Sequence, residues 1–216
     1  MIYQENNQRF ALSIPPRIKI RGILETVMKP FSQQEKYALA IILGVIIIVS
    51  APNFAVSLRR SRDAQRKADI GSVYSALNEF QADFGSFPLS EDGRIAACEP
   101  VVKKVVNGLE TFDFSPCAWG KDSLKDLSDP TYPPYLKTLP QDPYSGRGVN
   151  YYYLSNGSRY QIYGSLEGKS EDEYDEKIIK RQLPCGNKIC NFGKAFGKTP
   201  LDKSIEEYEN EINAKK

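Results

Sequence analysis

The sequence predicts an α+β protein in which one long N-terminal helix packs on a small head of antiparallel strands. Two observations predict this fold. Residues 37–58 form an uncharged apolar run, and residues 59–84 continue it with an amphipathic pattern and no strong helix breaker. Farther along, aromatic-rich segments stand on both sides of an Asn-Gly pair, as they do in a β-hairpin. A length of 216 residues leaves room for one ordinary domain in addition to the helix.

The composition argues against several classes of function. The sequence has no histidine, so Ser/His/Asp triads and His-ligated metal sites are excluded. Lys and Arg number 29 against 27 for Asp and Glu, which is too balanced for a dedicated nucleic-acid-binding surface. No dinucleotide-binding glycine pattern and no Gly-x-Ser-x-Gly motif occurs. We therefore expect a protein that is not an enzyme, binds no nucleic acid and carries no cofactor.

The apolar run at residues 37–58 has the length of a membrane-spanning helix. About 22 uncharged residues suffice to cross a hydrocarbon core of roughly 30 Å. Pro52 and Asn53 lie toward its C-terminal end, where a break in the helix is better tolerated. A cleaved secretory signal and a buried core helix are the alternatives. We expect a single-pass protein of the cytoplasmic membrane, surrounded by the lipid bilayer.

The orientation of this helix follows from the cysteines. In membrane proteins the cytoplasmic side usually carries more positive charge. Here basic residues flank the apolar run on both sides, so this rule does not decide the orientation. All four cysteines follow the run, and disulfides form in oxidising compartments. We therefore place the C-terminal part outside the cytoplasm and expect Cys98 to pair with Cys117 and Cys185 with Cys190. The sequence alone leaves this connectivity open, and free thiols in a cytosolic fold are the alternative.

A stripe of apolar residues predicts that the helix continues beyond the membrane as a stalk. Its members follow the three- and four-residue spacing of one helix face: Ile70, Val73, Leu77, Phe80 and Phe84. Gly85 stands where a C-terminal glycine cap is expected, and Pro88 follows it. We expect this face to pack against the head.

Basic residues cluster directly after the apolar run. They are Arg59, Arg60, Arg62, Arg66 and Lys67. Such a cluster can contact anionic lipid headgroups, or it can belong to salt bridges with neighbouring subunits through Asp63 and Asp69. A simply solvated helix face is the third interpretation.

The rest of the chain is expected to form the head. Many prolines predict a loop-rich connection with one or two short helices, for example at residues 101–109 and 123–127. Residues 150–154 and 159–166 predict the hairpin, and residues 200–216 an exposed helix. We therefore expect six segments: 1–30 as an N-terminal leader or arm, 31–58 as the membrane half of the helix, 59–84 as the stalk half, 85–148 as the loop-rich connection containing Cys98 and Cys117, 149–190 as the hairpin head containing Cys185 and Cys190, and 191–216 as a polar tail.

The segment KPFSQQEKYALAIILGVIIIVSAPNF resembles the start of type IV pilins and type II secretion pseudopilins. In that family a leader is cut before a phenylalanine. A glutamate follows four residues after this phenylalanine, and a proline follows 21 residues after it. Phe31, Glu35 and Pro52 stand at these spacings. The segments ADIGSVYSALNEFQADFGSFP and LPQDPYSGRGVNYYYLSNGSRYQIYGSLE also resemble passages of major pseudopilins. Together these three segments cover about a third of the chain.

The resemblance implies a structural subunit of a pilus-like or pseudopilus-like filament. Its partners would be copies of itself, other pilin-like subunits, the inner-membrane assembly machinery and a prepilin peptidase, and the filament could reach the cell surface. Glu35 would set the register between subunits, together with Phe31 and Pro52. Relatives of this kind can also hold calcium in a loop near the hairpin. The acidic residues there match no EF-hand spacing: Glu167, Glu171, Asp172, Glu173, Asp175 and Glu176.

Two departures from the family pattern define an alternative. Pro30 stands where the peptidase expects glycine, and proline has a fixed φ and no amide hydrogen. Residues 32–34 are polar where the family is apolar. The alternative is an uncleaved single-pass membrane protein whose pilin-like head serves as an initiator or binding module. Glu35 would then pair locally with Lys36 or lie on the surface.

Overall fold

The computed structural model describes residues 32–106 and 109–215. It has an α+β fold with one long helix, α1 (Gln33–Phe84), and small antiparallel sheets. The chain divides into two compact units, Met1–Pro52 and Asn53–Lys216. We refer to residues 85–106 and 109–215 as the head. Phe31 lies outside the described residues.

The N-terminal part of α1 is apolar and unburied. Pro52 lies inside α1, so the predicted helix does not end there. The most apolar 18-residue stretch of the helix has no buried residue, and Ile41 and Ile48 are 67% and 74% exposed. Among the described residues, α1 is the one helix that is long and apolar enough to cross a membrane. This finding is compatible with a single-pass membrane protein and argues against a buried core helix.

The C-terminal part of α1 supplies one side of the core of the second unit. Ile70, Val73 and Leu77 are completely buried and pack with buried aromatic and aliphatic residues of the head. Gly85 has a φ of 75° and donates its N–H to the carbonyl of Gln81. The predicted glycine cap is therefore confirmed, and so is the apolar face from Ile70 to Leu77. Phe80 is only partly buried against the core, and Phe84, which was expected to belong to this face, is 43% exposed.

The first sheet of the head has the order β1-β2-β3, with β1 (Leu89–Glu91), β2 (Arg94–Val106) and β3 (Leu109–Pro116) all antiparallel. The expectation of short helices at residues 101–109 and 123–127 was wrong. Residues 101–106 read Val-Val-Lys-Lys-Val-Val, and valine favours strands because its branched side chain packs well on a pleated surface. Leu124 instead forms an isolated bridge with Leu136.

The second sheet has the order β4-β5-β8, with β4 (Tyr152–Ser155), β5 (Tyr160–Gly164) and β8 (Phe192–Ala195). The β4–β5 hairpin confirms the prediction from the Asn-Gly turn, and Gly157 has a φ of 86°. β8 lies in the segment that was expected to be a polar tail. It pairs with β5 because Phe192, 3% exposed, closes the core next to Gly164. A third, two-stranded sheet joins β6 (Pro184–Cys185) to β7 (Lys188–Ile189).

Two short helices complete the head. α2 (Glu176–Lys180) is capped by Asp175, and α3 (Ile205–Asn213) begins with a capping box formed by Ser204 and Glu207. The helix expected within residues 200–216 is thus present. A single 3₁₀ turn, Ser145–Arg147, precedes β4.

The structure contains two disulfides, Cys98–Cys117 and Cys185–Cys190. All four cysteines are buried. The pairing is the one expected from the sequence, in which each cysteine bonds its nearest neighbour along the chain.

Candidate functional site

The first turn of α1 holds Glu35 in a local hydrogen-bond pair. The Ser32 backbone N–H donates to Glu35 Oε2 over 2.7 Å, and the Glu35 N–H donates to Ser32 Oγ over 3.3 Å. This is the reciprocal arrangement of a capping box, which satisfies N–H groups that lack a partner in the first turn. Glu35 therefore bonds Ser32, whereas the sequence suggested Lys36. The Ser-x-x-Glu spacing was the signal that could have shown this.

Glu35 and Pro52 lie in the same helix. Their separation of 17 residues corresponds to about 25 Å along the axis at 1.5 Å per residue. Both residues are exposed. Of the three residues singled out by the pilin resemblance, the structure describes these two.

A charged cluster lies on α1 directly after the apolar run, where basic residues meet carboxylates of the head. We call this set the charged cluster: Arg62, Asp63, Arg66, Lys67, Asp142, Glu167 and Glu171. All residues of these ion pairs belong to the second compact unit, Asn53–Lys216. Its members come from α1, from the loop before the 3₁₀ turn and from the loop after β5.

Arg66 is the centre of the charged cluster and is 1% exposed. Its Nε and Nη2 donate to the two oxygens of Asp142 over 2.7 and 3.1 Å. Its Nη1 donates to Asp63 Oδ1 and to Glu167 Oε1, each over 2.8 Å. A buried charge requires this degree of compensation, because removing it from water is costly.

Asp63 fixes the loop that follows β5. Its carboxylate is completely buried and accepts the backbone N–H groups of Glu167 and Gly168, both over 2.9 Å. Because Asp63 also pairs with Arg66, one side chain holds the loop and the guanidinium together. The charged cluster therefore joins the helix to two separate loops of the head.

Two further cations pair with this loop. Arg62 forms a two-point contact with Glu167, over 2.7 and 2.6 Å, and its guanidinium lies 4.7 Å from the ring centre of Tyr144. The hydrogen bond from Arg62, together with Arg66, lowers the pKa of Glu167 to about 2. Lys67 bonds Glu171 over 2.9 Å and also pairs with Glu173, and both contacts raise the pKa of Lys67.

These contacts correct the predictions for the basic residues. Arg62, Arg66 and Lys67 pair within the chain, so they are not available to anionic lipid or to a solvated face. Asp63 is buried, and Asp69 accepts the hydroxyl of Tyr151 over 2.7 Å. Bridges to neighbouring subunits through these two aspartates are therefore not supported. Arg59 and Arg60 form no ion pair with any described residue.

Three of the six residues of the acidic run take part in ion pairs with α1. Glu167, Glu171 and Glu173, which the resemblance offered as calcium ligands, bind cationic side chains of α1. Within residues 32–106 and 109–215, no group of three or more acidic or cysteine side chains is arranged to hold a metal ion.

Sequence reasoning missed the charged cluster as a unit. The spacing of Asp63 and Arg66, three residues apart in a helix, was a usable signal for their pairing. Asp142 lies 76 residues from Arg66, and no local pattern connects them.

Comparisons of the chain with models of protein families, with characterised proteins and with solved structures found no match.

Proposed function

We propose that this protein is a structural subunit of a type IV pilus-like or pseudopilus-like filament that is held in the cytoplasmic membrane before assembly. The observation that carries the proposal is α1. It is one helix of 52 residues whose apolar part is unburied and whose amphipathic part belongs to the core of an α+β head.

The apolar part of α1 requires an apolar environment that the chain does not supply. Its large exposed side chains are Tyr37, Leu39, Ile41, Ile42, Leu43, Val45, Ile46, Ile47, Ile48, Val49, Phe54, Val56 and Leu58. Five consecutive positions, residues 45–49, are apolar, so no face of the helix is polar there. Lipid before assembly and the same helix of neighbouring subunits after assembly would both cover this surface.

The head is built to stay attached to the helix. The charged cluster binds α1 to two loops, and the stripe of Ile70, Val73 and Leu77 is buried in the core. Subunits of a filament transmit load between their helices and their heads. A helix that is part of the core of the head suits this task.

A second function is an uncleaved single-pass membrane protein that presents its head as an initiator or binding module. The observation that favours it is the bond between Glu35 and Ser32. In a filament, the resemblance implies that Glu35 meets the free amine of a neighbouring subunit. Here the carboxylate already has a partner in its own chain.

Substitutions at Ser32 and Glu35 separate these two functions. Glu35→Gln removes the charge and keeps a side chain that can serve in a capping box, whereas Ser32→Ala keeps the charge and removes the cap. If Glu35 sets filament register, Glu35→Gln should be absent from the filament fraction sheared from cells, and Ser32→Ala should be present. The control is Gln34→Ala, an exposed neighbour without a side-chain bond to any described residue.

The opposite outcome supports the second function. If Glu35 acts only as a cap, Ser32→Ala and Glu35→Leu should both lower the amount of membrane-inserted protein, and Glu35→Gln should behave like the natural chain. A complete lack of sheared filaments in cells that make the natural chain and its assembly machinery would contradict the filament proposal.

A further inference from the structure

A cleft in the head lies apart from the charged cluster. It has a volume of about 520 Å³, which is within the range of small-molecule binding sites. Its lining comes from the β1–β2 turn, from the segment after Cys117, from the start of β4 and from the residues on either side of Cys185. All of these segments belong to the second unit.

Each of the two disulfides lies next to residues that line this cleft. Ala118 and Trp119 directly follow Cys117, which is bonded to Cys98 of β2. Pro184 and Gly186 flank Cys185, which is bonded to Cys190. Walls that are fixed covalently reduce the conformational entropy that a ligand must overcome on binding.

Three aromatic rings contribute to the cleft, and each is held in place. The rings of Trp119 and Tyr151 meet edge to face with 5.7 Å between their centres. The hydroxyl of Tyr151 is bonded to Asp69. The ring of Tyr152 lies against Gly93, where any Cβ atom would overlap it. Tyr151 is only 2% exposed, so the partly exposed rings of Trp119 and Tyr152 supply the accessible apolar surface of the cleft.

The polar groups of the cleft lack partners. Trp119 Nε1 is a buried N–H group with no hydrogen-bond acceptor among the described residues. Asp92, Arg94 and Asn150 also line the cleft, and their side chains form no hydrogen bond or ion pair with any described residue. Because the indole N–H is buried, the polar side chains that a ligand can reach are those of Asp92, Arg94 and Asn150.

These groups define the chemistry of a ligand. The guanidinium of Arg94 only donates hydrogen bonds, the carboxylate of Asp92 only accepts them, and the amide of Asn150 does both. A ligand must therefore present donors and acceptors close together, as hydroxyl groups do. The charges of Asp92 and Arg94 are opposite, which favours a neutral ligand. We propose that this cleft binds a short neutral oligosaccharide, with the C–H face of a sugar ring packed against the partly exposed rings of Trp119 and Tyr152.

A proline-rich peptide is the principal competitor for an aromatic cleft. Its carbonyl groups could accept from Arg94, but proline residues have no N–H to donate to Asp92. The donor and acceptor content of the cleft therefore favours the sugar. The oligosaccharide proposal does not depend on filament formation.

Trp119 makes the test direct, because it is the only tryptophan in the sequence. The full-length protein would be titrated in a zwitterionic detergent that has no sugar headgroup, with cellohexaose, chitohexaose, mannohexaose and decaproline as separate probes. We expect a saturable change of Trp119 fluorescence with at least one hexasaccharide and none with decaproline. No saturable change with any hexasaccharide, or a response to decaproline alone, would overturn the proposal.

Two variants tie the signal to the cleft. Arg94→Met and Asn150→Ala should each weaken hexasaccharide binding, by about tenfold where a hydrogen bond to a charged group is lost. Arg60→Met is the matched control, since Arg60 is an exposed arginine of α1 that does not line the cleft. The emission spectrum of each variant without sugar reports whether the cleft has folded. Unchanged affinity in both cleft variants would show that the sugar binds elsewhere.

Discussion

Arg66 lies almost entirely out of water, and carboxylates from three parts of the chain supply its hydrogen bonds. Replacing the whole set by well-packed apolar residues would cost little stability, because each buried charge has lost its hydration. The set does impose geometry, since Asp63, Asp142 and Glu167 must all be present in the right places. The charged cluster therefore specifies which surface of α1 faces the head.

Removing Arg66 alone should be strongly destabilising. Arg66→Met leaves Asp63 and Asp142 buried without their cation, and breaking a buried pair in this way costs about 3–5 kcal/mol. Arg60→Met removes the same charge from an exposed position and should change stability by less than about 0.5 kcal/mol. Urea unfolding of both variants in detergent, followed by Trp119 fluorescence, measures the difference. Equal stability of the two variants would contradict the structure of the charged cluster.

Glu167 should make the stability of the protein depend on pH. Its pKa is lowered from 4.5 to about 2 in the folded state, chiefly by the hydrogen bond from Arg62. Below its ordinary pKa, the unfolded chain binds the proton more readily than the folded chain does. The contribution of Glu167 to stability is therefore complete above about pH 5 and is lost as the pH falls toward about 2.

The measurement compares urea midpoints at pH 7 and pH 3. Glu167→Gln should lose less stability between these two values than the natural chain does, because its amide does not titrate. Asp172→Asn changes an exposed carboxylate without a described partner and should leave the pH dependence unchanged. A pH dependence that is the same in all three proteins would show that Glu167 is not held in its ionised form.

Among the secondary-structure elements, β5 is the buried central strand of the second sheet. All five of its residues are buried, and it pairs with β4 on one edge and β8 on the other. Gly164 stands at its end, where Phe192 and Ile70 approach the backbone. Strand β5 and helix α1 can meet closely there because this position has no side chain.

Adding a methyl group at Gly164 should therefore be costly. A Cβ atom would overlap the ring of Phe192 and would stand 3.1 Å from Ile70 Cδ1. We expect Gly164→Ala to lower the free energy of unfolding by about 1–3 kcal/mol, the range found for overpacked cores. Gly146→Ala is the matched control, since no atom lies within 4 Å of the new methyl group. Similar urea midpoints for the two variants would contradict the close packing of α1 on β5.

At the scale of the whole molecule, the filament and single-pass proposals differ in the N-terminus of the mature chain. Both require the protein to remain with the membrane pellet after alkaline extraction. Filament assembly predicts that the intact mass is that of a chain beginning at Phe31, because the family pattern places the cut there. The intact mass of a chain beginning at Met1 would support the uncleaved alternative, in which Pro30 blocks processing.

Much of the fold could be predicted from local patterns. The apolar run, the stripe of Ile70, Val73 and Leu77, the Gly85 cap and the Asn-Gly hairpin each depend on neighbours within a few turns or one strand pair. The segment 101–106 was misjudged because proline-rich surroundings suggested loops, although valine pairs favour strands. β8 was missed because a four-residue strand carries little pattern of its own.

Local sequence patterns were sufficient to predict that an apolar helix leads into an amphipathic one and that a hairpin head follows. Those features follow from hydrophobic period and turn chemistry, which act between residues close in the chain. Three other features became visible in the folded chain: Arg66 meets Asp142, Arg62 and Lys67 pair with the acidic loop, and both disulfides adjoin one cleft. These contacts join residues dozens of positions apart, and which distant groups meet depends on how the complete core packs.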